Sequence, residues 1–157
     1  MSDLTLLAPL AGWAAPLEEA PDAVFAERML GDGLAIDPTG SSLCAPCDGQ
    51  VIGVHHTRHA VTLRAENGAE ILMHIGLETV GLAGEGFEVH VSDGETVSAG
   101  TPLITFDIDL LARRAKSLMT PIVITNGDDF VITERVQDRA VAVGDILMTL
   151  RLSLIHI

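Results

Sequence analysis

Two internal repeats constrain this chain more than any other feature. Leu7-Ala8-Pro9-Leu10-Ala11-Gly12 returns as Cys44-Ala45-Pro46-Cys47-Asp48-Gly49, and Val97-Ser98-Ala99-Gly100-Thr101-Pro102-Leu103-Ile104-Thr105-Phe106 returns as Val141-Ala142-Val143-Gly144-Asp145-Ile146-Leu147-Met148-Thr149-Leu150. Two duplicated hairpin-like units predict an antiparallel barrel-sandwich. Between them lie short β-rich runs punctuated by Asn67-Gly68, Asp93-Gly94 and Asn126-Gly127, the punctuation of an all-β fold. Helix is scarce. One short turn is expected between Pro21 and Met29, and Asp107 is placed to cap a helix over 108–116 with Leu111 and Ala115 toward the core.

The chain is a single domain by length, since 157 residues with 48% hydrophobic content suffice for one real core. Its net charge of -13 excludes nucleic acid and anionic membrane surfaces as partners and favours a basic one. No segment reaches the roughly 18 apolar residues of a membrane span, and no basic, then apolar leader opens the chain. The expected location is the cytoplasm. Cys44-Ala45-Pro46-Cys47 has redox spacing, but leucines hold both positions in the first repeat copy, and Asp48-Gly49 turns into a strand where a redox motif opens a helix. The two cysteines therefore read as small buried hydrophobes.

The candidate chemistry lies between Gly68 and Val80. Ile71, Met73 and Ile75 alternate with Leu72, His74 and Gly76, so His74 shares one strand face with Leu72 and Gly76. Glycine beside the ring is expected to leave room for a phosphoryl group or a partner side chain. A second histidine, His59, is expected on a strand 57–63, and pairing of the two strands would bring the rings to one shallow site. Imidazole is a competent phosphoryl acceptor near neutral pH, because its pKa of roughly 6.5 leaves one nitrogen bare. The other nitrogen must be held, and a backbone carbonyl near Gly76 can hold it. Transfer spreads charge over the phosphoryl oxygens, for which His59 is a suitable donor, with Thr57 placed to orient it.

The run from Gly68 through Ile71-Leu72-Met73-His74-Ile75-Gly76-Leu77 to Thr79-Val80 resembles, at every motif position, the active-site signature of the glucose-type enzyme IIA domain of the phosphoenolpyruvate:sugar phosphotransferase system. The resemblance extends through Asp22-Ala23-Val24-Phe25-Ala26, Gly31-Asp32-Gly33, Arg58-His59-Ala60, Gly84-Glu85-Gly86-Phe87 and Thr120-Pro121-Ile122-Val123-Ile124, nearly to Leu150. It implies an all-β duplicated hybrid motif with one or two short helices. It implies a phosphocarrier that accepts a phosphoryl group on His74, assisted by His59 and Thr57, and needs no cofactor. The donor would be HPr or a fused HPr domain, and the acceptor a cysteine of an enzyme IIB domain of a sugar permease. Asp32, Leu34, Glu78 and Val80 match the acidic and apolar positions of the docking rim, Glu78 standing where aspartate is usual.

Other readings use the same residues. A regulatory binding module would use this face to hold transporters or kinases, with zinc on His59 and His74 at the interface. A zinc metallopeptidase of similar architecture would want a His-x-His pair, which His74-Ile75-Gly76 lacks. His55 and His56, adjacent on an expected strand, would point to opposite faces. A lipoyl or biotinyl carrier needs a lysine at a hairpin tip, and Lys116 falls in the expected helix.

The tail Leu152-Ser153-Leu154-Ile155-His156-Ile157 fits nothing upstream and resembles a translated transposon-end adapter from sequencing libraries. The expectation is an enzyme IIA domain over 1–151 and a non-native tail over 152–157, whose removal changes nothing. Residues 1–150 resemble the N-terminal domain of fused proteins with HPr and enzyme I downstream, so the natural chain is expected to continue past Arg151.

Overall fold

The computed structural model describes residues 3–153. The strands are β1 (Leu4–Leu7), β2 (Gly12–Pro16), β3 (Asp32–Pro38), β4 (Ser42–Cys44), β5 (Gly49–Val54), β6 (Ala60–Ala65) and β7 (Glu70–His74). They continue with β8 (Phe87–Val89), β9 (Thr96–Val97), β10 (Pro102–Phe106), β11 (Thr120–Ile124), β12 (Phe130–Arg135), β13 (Arg139–Val141) and β14 (Ile146–Leu152). Two short helices interrupt them. Helix α1 (Ala23–Ala26) is capped by the Asp22 carboxylate on the Val24 N–H, and α2 (Ile108–Arg114) by the Asp107 carboxylate on the Leu110 N–H.

Every strand pairing is antiparallel. The long sheet runs β13-β2-β3-β11-β7-β6-β5-β9, and two three-stranded sheets, β1-β14-β12 and β4-β10-β8, complete the sandwich. The small sheets are copies of one another, as the repeats predict. Leu7 N–H donates to the Pro46 carbonyl at 2.8 Å, and its repeat equivalent Cys44 N–H donates to the Pro9 carbonyl at 2.7 Å. In the same way Ala8 N–H donates to Asp145 O and Ala45 N–H to Thr101 O, again equivalent positions. The barrel-sandwich expectation is borne out, and the duplication is visible in its backbone hydrogen bonds.

The long sheet has an apolar layer on each face. Leu34, Ile36, Ile71, Met73, Ile122 and Ile124 face the main core, which also holds Leu6, Leu43, Leu103 and Leu147 from the small sheets. The other face carries a smaller cluster of Leu17, Ala20, Phe25, Leu77 and Val123, against which Leu72 packs. That second face is also the face of His74.

The structure alters several expectations. Strand β6 begins at Ala60, because Arg58 adopts a left-handed φ of 68° and makes 55–59 a turn. Thr57 and His59 thus belong to that turn. His55 and His56, freed from strand alternation, stack with ring centroids 4.5 Å apart instead of pointing to opposite faces. Leu152 is part of β14 opposite Phe130, and Ser153 N–H donates to Asp129 O at 2.7 Å, so the first two residues of the expected tail belong to the domain. Its remaining residues, 154–157, lie outside the described ones. Cys44 and Cys47 are free and buried, and burial pushes the Cys47 thiol up to about 11, consistent with their reading as packing residues.

Candidate active site

Strand β7 delivers His74 at its last position, and the next six residues are pinned from several sides. Gly76 turns the chain at φ 68°, and Glu78 follows at φ 57°. Leu77 exchanges backbone hydrogen bonds with the 116–117 segment, its N–H going to Ser117 O at 2.9 Å and its carbonyl accepting from Lys116 N–H. The buried Thr79 hydroxyl donates to Ile75 O at 2.8 Å. The buried Thr120 hydroxyl accepts from Gly76 N–H and donates to Leu118 O.

This turn aims the Gly76 carbonyl back at its own histidine. His74 Nδ1 lies 2.7 Å from Gly76 O, and a carbonyl only accepts, so the ring hydrogen is on Nδ1 and neutral His74 has a bare Nε2. Phe25 of α1 lies against the ring, centroids 5.1 Å apart. Burial lowers the pKa of His74, partly opposed by the Gly76 carbonyl. Gly76 does not leave the expected gap. A Cβ there would come within 2.9 Å of the Thr79 side chain and 3.0 Å of Ser117 O, so glycine serves the turn and its tight packing.

His59 reaches the same place from the 55–59 turn. Ala60 pairs with His74 in register, His59 O accepts from Ile75 N–H at 2.8 Å, and the two rings meet edge to face with centroids 4.7 Å apart. His59 is 2% exposed. Its pKa is pushed down to about 4, first by burial and then by the neighbouring His74 and His55. At neutral pH both rings are uncharged, and a nucleophilic nitrogen on His74 is available. Thr57 Oγ1 lies 2.7 Å from His59 Nδ1, the orienting contact expected of it.

The four rim residues divide. Val80 is 54% exposed and Glu78 is exposed, just beyond the His74 turn. Leu34 is fully buried in the main core, on the sheet face opposite His74, and cannot belong to a docking rim. Asp32 is opposite Ile124 and, through it, Ile71, toward the far end of β7 from His74. Its carboxylate accepts from Arg135 at 2.8 and 3.0 Å and from Arg28, which hold its pKa down at about 2. That charge is engaged within the domain. Sequence reasoning gave no role to Phe25, Thr79 or Thr120, although all three fall inside the motifs it singled out. A strand pattern carries no signal for which hydroxyl will pin a turn.

Among the described residues no group of three or more His, Cys, Asp or Glu side chains is arranged to hold a metal ion. Zinc sites take four ligands, or three and a water. His59 and His74 therefore do not make one by themselves.

The sequence over residues 4–130 matches the family model of the phosphoenolpyruvate-dependent sugar phosphotransferase system, EIIA 1. The chain belongs to this family. It is 56% identical over 124 residues to the glucose-specific EIIA component of Bacillus cereus, covering 79% of this chain and 75% of that protein. It is 45% identical over 143 residues to the glucose-specific EIIA component of Oceanobacillus iheyensis, covering 91% and 87%. The fold is similar to that of the glucose permease IIA from Mycoplasma capricolum, with a TM-score of 0.91, 38% identity and coverage of 95% and 96% of the two chains. As a family member the chain is a phosphotransferase component that carries a phosphoryl group as phosphohistidine. No helix among the described residues is long and apolar enough to cross a membrane.

Proposed function

We propose that Nε2 of His74 is the atom that carries the phosphoryl group. The observation behind this reading is the 2.7 Å hydrogen bond from Nδ1 to the Gly76 carbonyl, which leaves Nε2 as the free nucleophile. In the forward step the P–N bond of a donor phosphohistidine breaks as a P–N bond to His74 Nε2 forms, and the donor imidazole leaves with its electron pair. In the onward step an acceptor cysteine thiolate displaces His74. The donor is HPr, separate or fused, and the acceptor is an enzyme IIB domain of a sugar permease. Most of the catalysis is positioning plus hydrogen bonds to the phosphoryl oxygens, the role assigned to His59 with Thr57 holding it. Val80 and Glu78 form the docking rim, joined by Val24, 39% exposed beside Phe25 on α1.

The test is to charge the protein with phosphoenolpyruvate, enzyme I and HPr and weigh it intact. One acid-labile phosphoryl group is expected on the wild type and none on His74→Ala, with circular dichroism confirming that the variant is folded. Undiminished labelling of the variant would overturn the assignment.

A further inference from the structure

The chain leaves the long sheet at Pro16 and returns to it at Asp32, and the excursion between them carries Phe25 to the His74 ring. Its inner side packs Leu17, Ala20 and Phe25 into the small cluster with Leu77 and Val123. Its outer side shows Val24, Met29 and Leu30 to solvent. Beyond α1 the support is of another kind, because residues 28–32 line one wall of an open hollow of about 660 Å³ whose other wall is 125–129.

One side chain ties this excursion together. Arg28, at a left-handed φ of 59°, pairs with the Glu18 carboxylate near the start of the excursion and donates from Nε to Asp32 Oδ1, at its end, at 2.9 Å. The backbone joins Arg28 to α1, since Arg28 N–H donates to Phe25 O and Met29 N–H to Val24 O, both at 3.0 Å. Asp32 is fixed from elsewhere in the fold. Arg135 of β12 grips both of its carboxylate oxygens, at 2.8 and 3.0 Å, and donates to Gly33 O at 2.7 Å. An isolated exposed ion pair adds little, but an arginine shared by two carboxylates, one of them held bidentately by a second arginine, is a network of defined geometry. Direct contacts thus run from β12 through Asp32 and Arg28 to Phe25, whose ring centroid lies 5.1 Å from that of His74.

We propose that Arg28 is a positioning residue for docking of the phosphoryl donor: by bridging Glu18 and Asp32 it holds α1 so that Phe25 stays on the His74 ring and Val24 on the rim. This rests on the reading of His74 as the phosphoryl carrier. Without the bridge the excursion keeps its apolar anchors, but α1 is free to shift over the hollow, and ordering it is left to the encounter with the partner. Affinity for the partner then falls. The chemical step changes little, because the Gly76 carbonyl and not α1 holds the nucleophilic tautomer of His74.

The experiment is steady-state charging by HPr of wild type, Arg28→Gln, Arg28→Lys and, as a control, Arg151→Gln, which breaks an exposed ion pair with Asp3 beside the small sheet. Arg28→Gln is expected to raise KM for HPr roughly fivefold, the cost of ordering one or two interface side chains at docking, with kcat within about twofold of wild type. Arg28→Lys keeps a positive charge for the two carboxylates and should return KM most of the way. Glutamine and lysine are equally restricted at a left-handed φ, so the difference between these variants reads the charge and not the backbone. In the uncharged protein the proton NMR signals of the His74 ring, displaced in the wild type by the Phe25 ring, should move in Arg28→Gln and stay in Arg151→Gln. Urea unfolding checks that each variant is folded. A wild-type KM in Arg28→Gln, a fall in kcat alone, an equal rise of KM in Arg28→Lys, or unmoved His74 signals would overturn the proposal. Intact mass of the charged wild type reports His74 labelling separately, so a failure of the phosphocarrier reading is distinguished from a failure of the bridge.

Discussion

His74 donates its Nδ1 hydrogen to the carbonyl of Gly76, only two residues on, at 2.7 Å. A chain continuing as strand would carry that carbonyl away from the ring. The left-handed turn at Gly76 brings it back, so one backbone angle selects which imidazole nitrogen is nucleophilic.

Gly76→Ala tests this coupling. Alanine in the left-handed region costs about 1 kcal/mol or more, and its Cβ would meet Thr79 Cγ2 at 2.9 Å and Ser117 O at 3.0 Å. The expected result is a loss of about 2–4 kcal/mol in urea unfolding, with the rate of His74 charging lowered by at least about tenfold as the carbonyl moves. Wild-type stability together with a wild-type charging rate would show that the turn does not control the ring.

The buried His59 predicts a pH dependence of stability. Its folded pKa of about 4 lies below the ordinary 6.5, so between those values the unfolded chain binds more protons than the folded one. Stability is therefore full above pH 6.5 and falls as pH drops toward 4, by on the order of 3 kcal/mol for His59 alone. The groups facing it are His55, His56 and His74, and burial of His74 acts in the same direction. The Asp32 contribution is lost progressively at lower pH, as pH falls through 3.8, where the carboxylate is half protonated in the unfolded chain, toward its folded value of about 2. Urea midpoints at pH 7 and pH 4.5 should diverge less in His59→Gln than in the wild type. Equal divergence would mean that His59 is not held neutral by the fold.

Much of the architecture was legible because duplication repeats backbone chemistry as well as sequence. Ala8 and Ala45 make equivalent bonds to Asp145 and Thr101, so matching residues announced matching strands. His74 was legible because alternation along β7 sends Ile71 and Met73 to the main core and leaves the imidazole on the other face. The turn at 55–59 was not legible, since nothing in an arginine side chain marks Arg58 for a left-handed φ. The error carried over to His55 and His56, assigned to opposite faces by a strand rule that does not apply in a turn. Leu34 failed for another reason. A motif match fixes its place in the chain, but only its alternation with Gly33 and Ala35 in β3 shows that it faces the core.

Leu34 and Val80 should consequently separate stability from docking. Leu34→Ala removes a fully buried side chain and is expected to cost about 2–5 kcal/mol, lowering the unfolding midpoint in urea. Val80→Asp changes a side chain 54% exposed beside the His74 turn. It should change stability by less than about 0.5 kcal/mol while weakening HPr binding several-fold in a titration. Unchanged HPr affinity in Val80→Asp would remove Val80 from the rim.

The end of the described chain yields the last prediction. Leu152 extends β14 beside Phe130, and Ser153 N–H closes on Asp129 O, while Arg151 forms an ion pair with Asp3 at 3.0 Å across β1. Exposed ion pairs contribute little, so most of the stabilisation at this end comes from backbone pairing and the partly buried Leu152, which packs on the main core. Ending the chain at Arg151 should therefore destabilise the domain by about 1–2 kcal/mol, through one lost backbone hydrogen bond at Ser153 and the lost burial of Leu152. Charging of His74 should be unaffected, since this edge belongs to the small sheet β1-β14-β12, whereas His74 ends β7 of the long one. Urea unfolding of the truncated and full chains decides it: coincident curves would restore the view that the fold ends at Arg151 and that Leu152 and Ser153 are dispensable.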